Sequence, residues 1–115
     1  MPYENLLYEV EGPLALITIN RVERHNAISL GTLNDLHAAI GEAEEDDTVR
    51  VIAITGAGKK AFASGSDLEE VEQRGLKKAL EPLVQGVADR LEKTPKPTIA
   101  AINGYCVGGG LEVAL

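Results

Sequence analysis

The sequence predicts an α/β fold, and three observations predict it. Short runs rich in β-branched residues recur along the chain, amphipathic segments with helical spacing lie between them, and glycine or proline stands at most of the junctions. The chain has 115 residues, of which 44% are hydrophobic, so it can bury one core but has no room for two ordinary domains. Alternating strands and helices around one core are typical of the α/β class.

The first part of the chain predicts a β-hairpin followed by a helix. Apolar-rich runs at residues 6–10 and 14–19 are separated by the sequence Glu-Gly-Pro at 11–13, which favours a tight turn. Ser29 is a suitable N-cap for an amphipathic helix that ends near Asp46. The apolar residues that recur at helical spacing are Leu30, Leu33, Leu36, Ile40 and Ala43.

The middle of the chain predicts a buried strand and then helical segments. Residues 49–55 are nearly continuous in apolar content, as in a central strand that is covered on both faces, and the glycines of 56–58 end it. A run of small residues at 64–67 leads into a helix-friendly segment, residues 68–74. Residues 76–92 have helical spacing, but Pro82 removes a hydrogen-bond donor, so we expect two helical pieces there.

The last part of the chain predicts one more strand and the start of another helix. Pro95 and Pro97 favour extended backbone, and residues 98–103 have the composition of a third buried strand. The glycines at 108–110 then lead into an apolar helical segment, residues 111–115, without a C-cap signal. A helix that short needs a partner surface, so we expect residues 1–115 to be the N-terminal portion of a longer domain.

Composition excludes several classes of protein. Eleven basic and 18 acidic residues give a net charge of −7, which argues against a nucleic-acid partner, and five of the acids lie between 42 and 47 in what we expect to be a solvated patch. No apolar run is long enough for a membrane span, and no export signal is visible. Cys106 is the only cysteine, which excludes an intramolecular disulfide, and a reducing cytoplasm fits best.

Two glycine-rich junctions could carry chemistry. Residues 64–67 and 104–110 each lead from a strand through small residues into a helix, where the first-turn amides lack an internal partner. Two such helix starts aimed at one point would hold an oxyanion, although glycines also serve turns and close packing. Glu112 lies in the first turn of the second helix, where its carboxylate could act as a general acid or base or merely complement the helix dipole.

Other motifs fail on spacing. The nucleotide P-loop needs glycine and a hydroxyl residue where Ala53 and Lys60 stand, and the dinucleotide fingerprint needs a small residue at Val113. His25 and His37 lack the partners of a metal site, so we expect none. Cys106 would need a nearby histidine to act as a nucleophile, and a small core-filling side chain is the alternative.

The segments AFASGSDL and KPTIAAINGYCVGGGLEVAL together resemble the two signature regions of the crotonase superfamily, the enoyl-CoA hydratase/isomerase family. The segments NRVERHNAIS and VRVIAITG are also similar. Two residues depart from the family pattern: Val22 of NRVERHNAIS stands where proline is usual, and Ser66 of AFASGSDL stands where alanine is common. The resemblance implies a crotonase-like β-β-α spiral that binds an acyl-CoA thioester. It also implies that the backbone amides of Ser66 and Gly109 form an oxyanion hole for the thioester carbonyl.

The resemblance further implies the chemistry and the contacts. In the hydratases a glutamate at the position of Glu112 handles water with a second glutamate further along, so we expect addition of water to a 2,3-enoyl-CoA or its removal. An isomerase or decarboxylase on this scaffold, or a non-catalytic acyl-CoA-binding or assembly fragment, remains the alternative. Coenzyme A is part of the substrate, no other cofactor is implied, and full-length members, about twice as long, form trimers or hexamers. The residues implied to contact the substrate are Arg24, Ala27, Ala63, Ser64, Ser66, Asp67, Leu68 and Gly109.

Overall fold

A computed structural model describes residues 3–24, 26–59, 61–63, 77–106 and 114. Its elements, in chain order, are β1 (Leu6–Glu11), β2 (Leu14–Ile19), a 3-10 helix (Val22–Arg24), α1 (Leu30–Glu45), β3 (Val51–Gly56), β4 (Ala61–Ala63), α2 (Lys77–Lys93), β5 (Thr98–Ala101) and β6 (Tyr105–Cys106). The order is therefore β-β-α twice, followed by two further strands, and Ala114 has helical backbone. This is the α/β succession that the sequence predicts.

The strands form two sheets: β1, β2, β3 and β5 lie in the same sheet, whereas β4 and β6 lie in the other. The larger sheet has the order β1-β2-β3-β5, and the smaller pairs β4 with β6. β1 and β2 form the predicted antiparallel hairpin, whereas β2 with β3, β3 with β5, and β4 with β6 are parallel. The predicted central strand is confirmed, since β3 lies between β2 and β5. Parallel neighbours need a crossover, and α1 connects β2 to β3.

The first helix follows its local sequence signals. Ser29 caps it as predicted, because its Oγ accepts a hydrogen bond from the backbone N–H of Thr32 at 3.1 Å. The helix ends at Glu45, and the Nζ of Lys96 donates to the carbonyls of Ala43 and Asp46 at 2.6 and 2.7 Å. The apolar face of α1 packs on the larger sheet. Fully buried side chains in this core include Ile17, Ile19, Leu33, Leu36, Ile40, Ile52 and Phe62.

The predicted break at Pro82 is wrong. Helix α2 runs without interruption from Lys77 to Lys93. A proline removes one intrahelical hydrogen bond, but packing against a neighbouring helix outweighs that loss. Val87 is fully buried in the core, and the Nε of Arg90 lies 3.3 Å from Oε1 of Glu44 on α1.

The predicted burial of the third strand is also wrong. β5 forms as predicted, but Ile99 is 55% exposed and the strand is exposed along most of its length. In the part of the chain that is described, β5 is the terminal strand of the larger sheet, so a continuous apolar run here does not mean coverage on both faces. The predicted helix at 68–74 lies outside the described residues.

Candidate functional site

Strands β4 and β6 lie side by side and point in the same direction. Ala61 is opposite Tyr105, and Ala63 is opposite Cys106, with a register irregularity between the two pairs. β4 is completely buried, whereas the Cys106 side chain is half-buried and packs against the core. The C-terminal ends of both strands therefore lie side by side at one edge of the small sheet. The first glycine-rich junction, residues 64–67, follows β4 directly, and β6 lies within the second, residues 104–110.

Asn26 joins three separate segments at the approach to β4. Its side chain is 1% exposed, and its backbone has φ of 57°, a conformation that asparagine tolerates better than most residues. Its Oδ1 accepts from the backbone N–H of Arg21 at 2.8 Å, while its Nδ2 donates to the carbonyls of Ala57 and Ala61 at 3.0 and 2.7 Å. One carboxamide thus ties the loop after β2 to the end of β3 and to β4.

Asn103 repeats this arrangement from the other side. Its Oδ1 accepts from the backbone N–H of Gly56 at 3.1 Å, and its Nδ2 donates to the carbonyls of Gly58 and Ala61, both at 3.1 Å. The Ala61 carbonyl therefore accepts from both asparagines. Asn103 precedes β6 by two residues, so its side chain links β4 to the segment that leads into β6.

Gly56 lets these segments approach one another closely. A Cβ at this position would lie 2.5 Å from the carbonyl oxygens of Ala61 and Phe62 and 2.8 Å from Nδ2 of Asn26. Such distances are far inside van der Waals contact, so only glycine fits. The prediction that the strand ends at this glycine is confirmed, since Gly56 is the last residue of β3; the close packing around it is a further requirement that the sequence does not indicate.

Three of the predicted site residues lie within the described residues. Arg24 ends the 3-10 helix, and its side chain lies outside the described part. Ala27 is 9% exposed, and its carbonyl accepts from Nη1 of Arg21 at 2.7 Å. Ala63 is fully buried at the end of β4. Asn26 brings the loop that holds Arg24 and Ala27 to the strand that holds Ala63. The other predicted residues, Ser64, Ser66, Asp67, Leu68, Gly109 and Glu112, lie outside the described residues.

Sequence reasoning missed Asn26, Asn103 and Gly56. Asn26 belongs to a segment that the resemblance singled out, but nothing in a single sequence shows that its amide reaches residues 31 and 35 positions away. The contacts are tertiary, so spacing along the chain carries no signal for them.

Cys106 is the ionisable residue of β4 and β6 whose side chain is described. Burial raises the pKa of the Cys106 thiol above its ordinary value, which disfavours the nucleophilic thiolate.

Among the described residues, no three His, Cys, Asp or Glu side chains are grouped so as to hold a metal ion. No helix among them is long and apolar enough to cross a membrane. The expected solvated patch is mixed, since Glu42, Glu45 and Asp47 are exposed whereas Glu44 and Asp46 are half-buried.

Comparison with known proteins gives a consistent result. The family model described as enoyl-CoA hydratase/isomerase matches residues 9–115. The chain is 39% identical to the short-chain-enoyl-CoA hydratase of Clostridium acetobutylicum and 38% identical to the crotonyl-CoA hydratase of Syntrophomonas wolfei. In both cases all of the chain is covered but only 45% of the relative, so the chain spans less than half the length of these relatives.

Solved structures agree with this. An enoyl-CoA hydratase/isomerase from Xanthobacter autotrophicus Py2 has a TM-score of 0.89 at 39% identity, covering 99% of this chain and 44% of that one. An enoyl-CoA hydratase from Thermoplasma volcanium has a TM-score of 0.85 at 39% identity, covering 96% of this chain and 44% of that one. The crotonase-like fold implied by the resemblance is confirmed. Because the family model matches nearly the whole chain and the fold matches over the same span, this chain belongs to the enoyl-CoA hydratase/isomerase family.

Proposed function

We propose that this chain supplies the oxyanion hole and one acid/base glutamate of an enzyme that adds water to a 2,3-enoyl-CoA thioester or removes it. The observation that carries the proposal is the parallel pairing of Ala63 with Cys106. Ser66 follows Ala63 by three residues, and Gly109 follows Cys106 by three. The two predicted donors therefore lie at equal distances along the chain from one pair of neighbouring strand ends.

Chain geometry supports the proposal further. Three residues span at most about 10 Å, and neighbouring strands lie about 4.8 Å apart, so both N–H groups are within reach of one carbonyl oxygen. Two main-chain donors that converge on a thioester oxygen stabilise the negative charge that develops there during addition. Loss of one such donor lowers the rate by roughly 10²–10³.

The proposed reaction uses these groups as follows. The oxygen of water bonds to C3 of the enoyl group, and the electron pair of the C2–C3 double bond moves toward the thioester oxygen held by Ser66 and Gly109. Glu112 acts on the protons of the water together with a second carboxylate outside this chain, and C2 gains one proton as the enolate collapses. Water is the only co-reactant. Coenzyme A enters as part of the substrate, and the contacts that we propose for it are Arg24, Ala27, Ala63, Ser64, Asp67 and Leu68.

The test uses the protein as its gene encodes it. Hydration is followed by the loss of absorbance of the conjugated enoyl thioester, and affinity by calorimetry with a saturated acyl-CoA. Glu112→Gln should lower kcat by roughly 10²–10⁴ and leave that affinity within about threefold, because the amide cannot exchange the proton. Glu92→Gln, at an exposed position on α2, makes the same chemical change as a control. Unchanged turnover in Glu112→Gln would contradict the role of this residue.

The alternatives are separated by the products of the wild-type protein. Shift of the double bond or release of carbon dioxide would indicate an isomerase or a decarboxylase on the same scaffold. Binding of the acyl-CoA without turnover would indicate a non-catalytic acyl-CoA-binding fragment. Sedimentation of the same sample tests the trimer or hexamer that we propose for the full-length protein, and fractionation tests the proposed cytoplasmic location.

A further inference from the structure

The carbonyl oxygen of Ala61 is held from two sides by neutral side chains. Nδ2 of Asn26 donates to it at 2.7 Å, and Nδ2 of Asn103 donates to it at 3.1 Å. A carbonyl oxygen has two lone pairs, so these two bonds satisfy it completely. The point they fix lies two residues before the end of β4.

The carboxamides of Asn26 and Asn103 make equivalent sets of hydrogen bonds. Each donates both N–H hydrogens to backbone carbonyls and accepts from one backbone N–H, which for Asn26 is that of Arg21 and for Asn103 is that of Gly56. The two side chains thus connect the loop after β2, the end of β3, the turn at 57–58 and the strand β4. They do so where β4 has only three residues and a single parallel neighbour in the described part of the chain.

A strand this short is weakly fixed by its own ladder. The β4–β6 pair has two residue pairs and a register irregularity between them, so few backbone hydrogen bonds define where Ala63 stands relative to Cys106. Irregular pairing leaves the position of a strand end under-determined unless side chains complete it. The two asparagines supply that completion at Ala61, and Gly56 removes the side chain that would otherwise push β4 away.

We infer that Asn26 and Asn103 are positioning residues: Asn26 ties β4 to the loop after β2 and to the end of β3, and Asn103 ties β4 to the segment that leads into β6. Together they set the separation of the two main-chain donors at Ser66 and Gly109. The inference rests on the proposed function. Neither side chain is assigned a contact with substrate; they act through the Ala61 carbonyl and the strand that carries it. Misplacement of a catalytic group by about 1 Å can cost roughly 10²-fold in rate, so a loosened β4 should be measurable as lost turnover.

The test compares Asn103→Asp with Asn34→Asp in the protein as its gene encodes it. Asn103 is half-buried, and the carboxylate would keep the acceptor for Gly56 but face two carbonyls with no proton to donate. Asn34 is exposed on α1, so it undergoes the same chemical change without this consequence. Asn103→Ala removes the donors without adding charge and serves if the aspartate variant does not fold. Melting temperatures establish which variants are folded.

Two readouts distinguish positioning from a general loss of structure. In folded Asn103 variants kcat should fall by about 10- to 100-fold while the Kd of a saturated acyl-CoA stays within about threefold. A bound conjugated enoyl-CoA should also lose the red shift that a polarised thioester carbonyl gives it. If the wild-type protein shows the red shift and the folded Asn103→Asp variant keeps both the shift and kcat, the inference is wrong and the proposed function stands. A wild-type protein without shift or turnover would overturn the proposed function, and the inference with it.

Discussion

Ala63 and Cys106 stand opposite each other in a parallel pair, and this pairing brings the end of β4, where the first glycine-rich junction begins, beside β6, which lies within the second. The two residues are 43 positions apart in the chain, so their proximity follows from the fold.

The pairing predicts a disulfide. Cα atoms of paired residues on neighbouring strands lie about 4.8 Å apart, within the range of about 4.4–6.8 Å that a disulfide spans. We expect Ala63→Cys to form a bond with Cys106 under mild oxidation, measured as a loss of two hydrogens in the intact mass and of both free thiols. Ala53→Cys, on β3, is the control, since Ala53 pairs with Ile99 and should keep its free thiol. Equal oxidation in the two variants would contradict the register.

We predict that residue 66 donates its hydrogen bond to the substrate carbonyl through its backbone N–H and not through its side chain. Ser66→Pro removes the N–H, whereas Ser66→Ala retains it, so kcat should be lower in the proline variant than in the alanine variant by roughly 10²–10³. Steady-state kinetics with a 2-enoyl-CoA measure both, and circular dichroism checks that both are folded. Equal rates in the two variants would show that the amide of residue 66 does not stabilise the transition state.

Gly56 should be intolerant of any side chain. Its Cβ would lie 2.5 Å from two carbonyl oxygens, so Gly56→Ala should lower the free energy of unfolding by about 1–3 kcal/mol. Gly86→Ala is the matched control on α2, where the nearest atom to the new Cβ, Nε2 of His37, is 3.7 Å away. Alanine is the better helix former, so this variant should gain about 0.5–1 kcal/mol. Urea unfolding measures both, and similar values would contradict the close approach.

Stability should depend on Tyr3 at alkaline pH. Burial and a hydrogen bond from its hydroxyl to Glu42, at 2.5 Å, raise the pKa of Tyr3 to about 12 from the ordinary value of 10.0. The folded state therefore favours the protonated phenol. Its contribution is fully present below pH 10 and is lost as the pH rises from about 10 through about 12.

Tyr3→Phe isolates this contribution, because the variant keeps every other titrating group. The difference in unfolding free energy between the wild type and Tyr3→Phe should be constant at neutral pH and should shrink between pH 10 and pH 12. A difference that grows with pH would show that the sign of the pKa shift is wrong.

Local signals in the sequence predicted most of the elements. The start of α1 follows from Ser29, whose hydroxyl caps the helix by accepting from the N–H of a residue three positions later. The hairpin follows from the turn at 11–13. The errors lie where packing decides. Pro82 remains helical because α2 packs on α1, and Ile99 is exposed because β5 is the terminal strand of its sheet among the described residues. The glycine-rich pattern indicated the two junctions, but the asparagines that hold Ala61 make tertiary contacts that spacing in one sequence does not reveal.

Carboxamides do not titrate, so a change of pH does not alter the hydrogen bonds that Asn26 and Asn103 donate. The groups that fix the Ala61 carbonyl keep the same charge and the same donors from acid to alkali. They also add no formal charge beside the place where an enolate would develop. A bell-shaped pH profile of turnover would therefore report the ionisation of Glu112 and its partner carboxylate, with no contribution from the side chains that hold the strand.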